Sequence, residues 1–394
     1  MEEREGGAAV RIVTILGTRP EIIRLCRVIE QLDRRSEHIL VHTGQNYDPL
    51  LSDIFFKDLG VRAPDVYLGI KAGSFGAQIG RILERCEELF LERRPDRLLI
   101  LGDTNSGTSA IVARRLGIPV YHMEAGNRCF DDRVPEEVNR RIIDHSSSVL
   151  LPYTHRSKEN LLREGIASDR ILVTGNPIGE VIGHYEKQIA ASDVLGAFGL
   201  TPGKYFLVTM HRAENVDVRE RLERLLTALE LLHRKFGYPV ICSFHPRTRD
   251  RAAKFQIAVD RPGLRFVPPF GFFDFVKLER SAFCLISDSG TVQEEACIFG
   301  VPNVTIRDVT ERPETLECGS NILCGVEPAD VLRAVETVTG RPSVWQPPPE
   351  YLATSVADRV CNILLGYRLP DLAELQWRAG SFSSATGSPS VTKP

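Results

Sequence analysis

The stretch RIVTILGTRPEIIRLCRVIEQLDRRSEHILVHTG, residues 11–44, changes its hydrophobic period twice. RIVTIL (11–16) is a short, apolar, β-branched run. PEIIRLCRVIEQLDRR then repeats apolar residues at spacings of three and four. HILVHTG (38–44) returns to a short apolar run. Strands of a parallel sheet are covered on both faces, so they read as near-continuous apolar runs separated by amphipathic helices. The stretch therefore predicts one βα unit and the start of the next. RLLILGD (97–103), VYHMEA (120–125), SVLLPY (148–153) and RILVTGN (170–176) extend the pattern. It pauses over 177–203, which reads as a crossover helix and linker. It restarts with KYFLVTMHR (204–212), PVICSFHP (239–246), LRFVPPF (264–270), FCLISDSG (283–290), VPNVTIRD (301–308) and NILCG (321–325). The expected fold class is α/β, with two Rossmann-like doubly wound domains, residues 1–180 and 190–345, facing a cleft. An amphipathic helix within 350–368 is expected to pack back on the first domain. The Ser/Thr/Gly/Pro-rich tail, 378–394, is expected to be disordered.

The composition narrows the function classes. A length of 394 residues suits two or three domains, and 43% apolar with 26% charged residues is ordinary for a globular protein. A net charge of −3 gives no bulk electrostatic attraction to nucleic acid or anionic membrane, and neither is expected as a partner. The opening MEEREGGAAV lacks the basic and apolar regions of a signal peptide, and no apolar run reaches the ~18 residues of a membrane span. Nine cysteines, odd in number and without a CxxC pair, argue against a disulfide framework or a thiolate zinc site. A cytoplasmic location is expected. The chain has no G-x-G, no Walker A loop, no G-x-S-x-G and no H-E-x-x-H, which removes the main support for dehydrogenase, P-loop kinase and serine hydrolase readings.

Ligands of doubly wound sheets bind beyond the carboxyl ends of the strands. The loops there carry the chemistry. In ISDSGTVQEEACIFG a strand ends at Asp288 and a helix starts near Ser289, so Ser289 and Gly290 leave backbone N–H groups for phosphate oxygens. A plain N-cap followed by the acids Glu294 and Glu295 is the other reading. In GTRPEIIR, Pro20 suits the first helical position, and Arg19 and Arg24 could reach a phosphate; an ordinary helix start remains open. His211 closes a strand and could donate to a bound diphosphate, with His245 of FHPR a weaker candidate; a structural histidine is the alternative. Asp103, Glu124 and Glu136 converge from two strand ends and a helix start. Carboxylates poised by burial and repulsion suit proton transfer, and a salt-bridge network is the alternative. No D-x-D or His/Asp pattern supports a metal, and none is expected. Arg128, Arg133, Arg140 and Arg141 are expected to pair with surplus acids and hold Glu124 and Glu136 in place.

The ordered set GTRPE, GDT, MEAGNR, PEEVNRR, TGN, MHRAEN, DSGTVQEE and TERPE resembles the non-hydrolysing UDP-N-acetylglucosamine 2-epimerase family, from about residue 11 to about residue 365. The resemblance implies a glycosyltransferase-B type fold, a UDP-sugar substrate, no cofactor and a homodimer. It implies inversion of C2 of a UDP-N-acetylhexosamine by elimination of UDP, a glycal intermediate and re-addition of UDP. Asp103, Glu124, Glu136 and His211 fall on the family's catalytic positions. Arg19, Ser289 and Gly290 match diphosphate contacts, Glu295 the ribose contact and Phe275 the uracil contact. Arg24, His245, Thr291 and Arg312 are grouped with the UDP-binding residues. The forms TGQNYD (43–48), NRCFDDRVPEE and HPRTR resemble more closely a subgroup that epimerises 6-deoxy sugars to give UDP-N-acetyl-L-fucosamine. HRAEN and SGT also depart from the common pattern, and the departures imply loss of the allosteric substrate site of bacterial members. A hydrolysing epimerase releasing UDP and N-acetylmannosamine, or a glycosyltransferase of the same fold, are the alternatives.

Overall fold

The computed structural model of the chain describes residues 9–44, 55–340, 342 and 344–367. The acidic opening residues 1–8, most of TGQNYD and the tail from 368 lie outside them.

Two six-stranded sheets, parallel throughout, organise the fold. The first contains β1 (Arg11–Leu16), β2 (Glu37–His42), β3 (Val66–Tyr67), β4 (Arg97–Leu101), β5 (Val120–Met123) and β6 (Val149–Leu151), in the order β3-β2-β1-β4-β5-β6. The second contains β7 (Phe206–Thr209), β8 (Val240–Ser243), β9 (Leu264–Val267), β10 (Cys284–Ser287), β11 (Asn303–Thr305) and β12 (Asn321–Leu323), in the order β12-β11-β10-β7-β8-β9. Read outward from β7, that is the first sheet's order again, and it is the doubly wound arrangement. The glycosyltransferase-B expectation is met by two such sheets.

The opening stretch shows why. Ile12, Val13, Ile15 and Leu16 are all buried, as a strand covered on both faces requires. Helix Arg19–Arg35 follows with proline in its first turn, and buries Ile22, Leu25, Cys26, Val28, Ile29 and Leu32 along one stripe. These residues share one core with Val356, Val360, Cys361 and Leu364 of the last helix, Val356–Gly366. The chain thus returns from its second half to cover the helix that opened the first.

Two expectations are corrected. RILVTGN forms no strand; only Ile171 bridges Leu150, while Leu172 and Thr174 donate their N–H groups to Leu150 and Pro152. The run is extended beside β6, but it turns away at Gly175 (φ +90°) to start the helix Pro177–His184 before a ladder develops. Conversely, the two-residue β3 is too short to give a periodic signal. The 177–203 linker holds three helices, Pro177–His184, Glu186–Ala191 and Val194–Ala197.

Sheet order fixes where the site lies. It reverses between β1 and β4, and again between β7 and β10. The loops leaving those strands carry Gly17–Arg19, Gly102–Asp103, His211–Arg212 and Asp288–Ser289. Both switch points therefore present the residues singled out from sequence.

Candidate active site

Asp103 follows β4 and Glu124 follows β5 directly, while Glu136 sits in the first turn of helix Pro135–Ser146. Each meets its own arginine. Asp103 pairs with Arg140 at 2.7 Å, Glu124 with Arg312, and Glu136 with Arg212 at 2.8 Å. The acids keep 25%, 13% and 34% of their side-chain surface, whereas Arg140 and Arg312 keep 5% and 7%. The carboxylates reach open space and these two arginines back them.

The counter-charges are not the ones expected from the local sequence. Arg128 pairs with Asp144 and Glu164, Arg133 with Asp131, and Arg141 with Asp132 and Glu137. Arg140 alone of the four touches a candidate acid, Asp103, and it also holds Glu137 and Glu311. The shortest ion pairs of Glu124 and Glu136 are to arginines of the second half of the chain, a relation that exists only once the two sheets are docked.

Four ion pairs bridge the halves at the site: Arg24–Glu294, Arg140–Glu311, Arg212–Glu136 and Arg312–Glu124. Arg312 also holds Glu294, and Arg24 lies 3.4 Å from Glu124, which closes a ring of two arginines and two glutamates. Burial opposes ionisation of Glu294, but Arg24 and Arg312 outweigh it and hold the carboxyl below its usual range. Glu311, between Arg140 and Arg307, is held well below it by the same balance. Arg24, expected to reach a phosphate, thus has its guanidinium on Glu294 and Glu124 and lies over the Tyr153 ring.

Backbone geometry aims Glu124. It has φ +65°, in the left-handed region that non-glycine residues seldom occupy. Such a conformation persists at functional sites where surroundings enforce it. Here Asn127 and Tyr153 donate to the carboxylate at 3.1 and 3.4 Å. Gly126 follows with φ +81°, and a Cβ there would lie 2.3 Å from the Ser157 carbonyl oxygen, so only glycine completes the turn.

The second sheet supplies His211. Its Nδ1 lies 3.0 Å from Asp288, which also accepts the backbone N–H groups of His211 and Arg212 and the side-chain amide of Asn215. Burial works to raise the Asp288 pKa, but the histidine and these donors win, and it stays below the usual carboxylate range. The histidine ring is thereby anchored through Nδ1, leaving Nε2 for the cleft. His245 lies beside it, its ring tilted, at 5.4 Å between ring centroids, caps helix Pro246–Phe255, and is lowered to about 4 by burial and then by His211 and Arg19. Arg19 itself lies over Phe55.

Helix Gly290–Phe299 begins at this strand end with no side-chain cap; the Ser289 hydroxyl is within 3.0 Å of Thr291 Oγ1 instead. Its first turn can present backbone N–H groups to an anion. Gly290 faces the Arg312 guanidinium, 3.7 Å from a Cβ placed there. Glu295 is buried beside Glu279, and burial pushes it up to about 7. Phe275 lies in helix Phe272–Ser281, packed against the core formed by Leu278, Val292 and neighbours. Among the described residues no group of three or more His, Cys, Asp or Glu is placed to hold a metal ion.

Sequence reasoning left Asp288, Glu294, Arg212 and Glu311 without roles. Asp288 and Glu294 stood inside DSGTVQEE, and Arg212 beside His211, so proximity to motif residues was the available signal. Their partners were not legible.

The family model described as UDP-N-acetylglucosamine 2-epimerase matches residues 30–365. The UDP-N-acetylglucosamine 2-epimerase of Methanococcus maripaludis is 38% identical over 91% of this chain and 100% of its own length. The UDP-2,3-diacetamido-2,3-dideoxy-D-glucuronate 2-epimerase of Pseudomonas aeruginosa is 35% identical over 84% of this chain and 93% of its own. The crystal structure of the Methanocaldococcus jannaschii UDP-GlcNAc 2-epimerase, in complex with UDP-GlcNAc and UDP, superposes with a TM-score of 0.85 at 39% identity, covering 90% of this chain and 99% of that one.

Proposed function

The chain belongs to the UDP-N-acetylglucosamine 2-epimerase family, and on that premise we propose that it inverts C2 of a UDP-N-acetylhexosamine, interconverting UDP-GlcNAc and UDP-ManNAc without a cofactor. The observation that carries the reading is the set of three carboxylates at the strand ends and helix start of the first half, each paired with an arginine, together with His211 anchored at a strand end of the second half.

The C2 hydrogen is not acidic, so its loss must accompany or follow departure of UDP. The C1–O bond breaks with its electron pair on the diphosphate, a carboxylate takes the C2 proton, and a 1,2 double bond remains. A proton then returns to C2 on the other face, and a diphosphate oxygen adds back to C1. The first half of this needs charge stabilisation at the leaving group and a base on one face of C2, and the second needs an acid on the other face. Glu124 is assigned to the C2 proton, because its enforced turn projects it from the end of the interior strand β5. Asp103 and Glu136 serve the opposite face. His211 donates toward the diphosphate, which Arg19, Ser289, Gly290 and Thr291 hold. Glu295 takes the ribose and Phe275 the uracil. The ion pairs between the halves keep the unsaturated sugar from water.

A 6-deoxy-N-acetylhexosamine is the second candidate sugar, favoured by the forms NRCFDDRVPEE and HPRTR. That relatives named for different sugars lie at 38% and 35% identity supports keeping it. A cytoplasmic location, supported by nine free cysteines, and a homodimer complete the proposal.

The test is incubation with UDP-GlcNAc in deuterated water followed by NMR. Deuterium at C2 with UDP-ManNAc formed is the expected result. Free UDP with free sugar would replace the reading by hydrolysis, and no C2 exchange with any UDP-N-acetylhexosamine, 6-deoxy sugars included, would overturn it.

A further inference from the structure

We propose that His122 and Asp144 form a buried clamp that positions the two acid-bearing turns, and that they act on the reaction only through Asp103 and Glu124. The inference rests on the proton-transfer roles given to those two acids.

His122 is on β5, and both it and Asp144 are buried. Its Nδ1 lies 2.8 Å from Asp144 Oδ1, and its Nε2 lies 2.8 Å from the carbonyl oxygen of Gly102. That carbonyl belongs to the peptide that leads into Asp103. The other Asp144 oxygen accepts the N–H of Gly126 at 3.2 Å, two residues past Glu124, and pairs with Arg128 at 2.8 Å. One histidine and one aspartate therefore fasten the turn after β4 to the turn after β5.

The two turns need fastening. Gly102, Glu124 and Gly126 have φ of +72°, +65° and +81°, so both are left-handed, and the glutamate carries a side chain there. They also meet: a Cβ on Gly102 would stand 3.6 Å from Glu124 Oε2. A shift in either turn moves both carboxylates relative to a bound sugar, and misplacement of reacting groups is costly in rate.

The partners also fix the direction of the clamp's hydrogen bonds. A backbone carbonyl only accepts. Burial works to raise the Asp144 pKa, but the hydrogen bond and charge of His122, with Arg128, hold it below the usual range, so it too only accepts. Both ring nitrogens of His122 therefore face acceptors. The further charged groups around it are Arg128, Glu164 at 2.7 Å from Arg128, and His145 at 3.4 Å from Glu164. The clamp's hydrogen-bond and ion-pair partners, Gly102, Gly126 and Arg128, all belong to the first half of the chain.

Two measurements test this. In protein labelled with nitrogen-15 at histidine, proton–nitrogen spectra should show a hydrogen-bonded, slowly exchanging ring N–H, and that signal should vanish in His122→Asn. A His122 ring with no exchange-protected N–H overturns the proposal, and this spectrum decides it even if the next variant does not fold. In Asp144→Asn, kcat for C2 exchange should fall about 10–100-fold, since misplacing reacting groups by about 1 Å can cost on the order of 100-fold. UDP affinity should stay within about twofold, since the nucleotide is held by the other half. Unchanged kcat, or kcat and UDP affinity falling together, overturns it. If the unsubstituted protein shows no C2 exchange, the epimerase reading fails by itself. The clamp is then judged by the spectrum and by amide exchange at Gly102–Asp103 and Glu124–Gly126, which Asp144→Asn should accelerate.

Discussion

Replacing Arg24 by methionine separates a phosphate ligand from a structural cation. Arg24 has 2% of its side chain exposed, Glu294 has 1%, and the two are in direct contact. Methionine keeps most of the stem packing and deletes the charge. Removing one partner of a buried ion pair costs about 3–5 kcal/mol, because it strands the other charge. Here Glu294 retains Arg312, so the lower end applies, about 3 kcal/mol, or roughly a hundredfold in the folding equilibrium. Glu294→Gln should cost a similar amount by leaving two arginines to share Glu124. The double variant strands no glutamate, so its cost should fall about 2–3 kcal/mol short of the sum of the singles. The assay is urea unfolding of the four proteins, with UDP affinity measured by calorimetry on each. Arg24→Met is expected to lose stability while UDP affinity changes less than about twofold. A loss below about 1 kcal/mol, strict additivity in the double variant, or a large drop in UDP affinity with stability intact would refute the argument and return Arg24 to the diphosphate.

Glu124→Gln should abolish deuterium incorporation at C2 and leave UDP binding nearly intact; collapse of binding would show that its role is misassigned. Glu279 is buried against Glu295 with no hydrogen-bond partner for either oxygen among the described residues, and burial and then Glu295 push its pKa well above the usual range. A raised carboxyl pKa gives stability that is complete below 4.5 and is lost as pH rises, through about 7 for Glu295. Glu279→Gln should therefore gain about 1–3 kcal/mol over the parent at pH 8 and little at pH 4; a pH-independent difference in chemical unfolding would count against it. His245 is depressed from 6.5 to about 4, so its contribution is complete above 6.5 and is lost as pH falls toward 4. His245→Asn keeps a helix-capping acceptor and removes the titration, so the parent's Tm should fall relative to the variant's across that window, and parallel curves would contradict the assignment.

The alternation of apolar runs and amphipathic stretches placed eleven of the twelve strands, because a strand covered on both faces has no polar side to confuse the pattern. It missed β3, whose two residues carry no period, and overextended RILVTGN, where a turn at Gly175 ends the pairing. The strand-end residues Asp103, Glu124, His211 and Ser289 were legible because topology alone puts such ends at the cleft. Who neutralises them was not. The acids and arginines of 122–145 suggested a self-contained network, yet Glu124 meets Arg312 and Glu136 meets Arg212, partners 188 and 76 residues away. Local sequence determined which side chains stand at each strand end, since that depends on period and turn chemistry. Only the docking of one sheet against the other decided which charges meet, since ion pairing depends on distances of a few ångströms that no local spacing encodes.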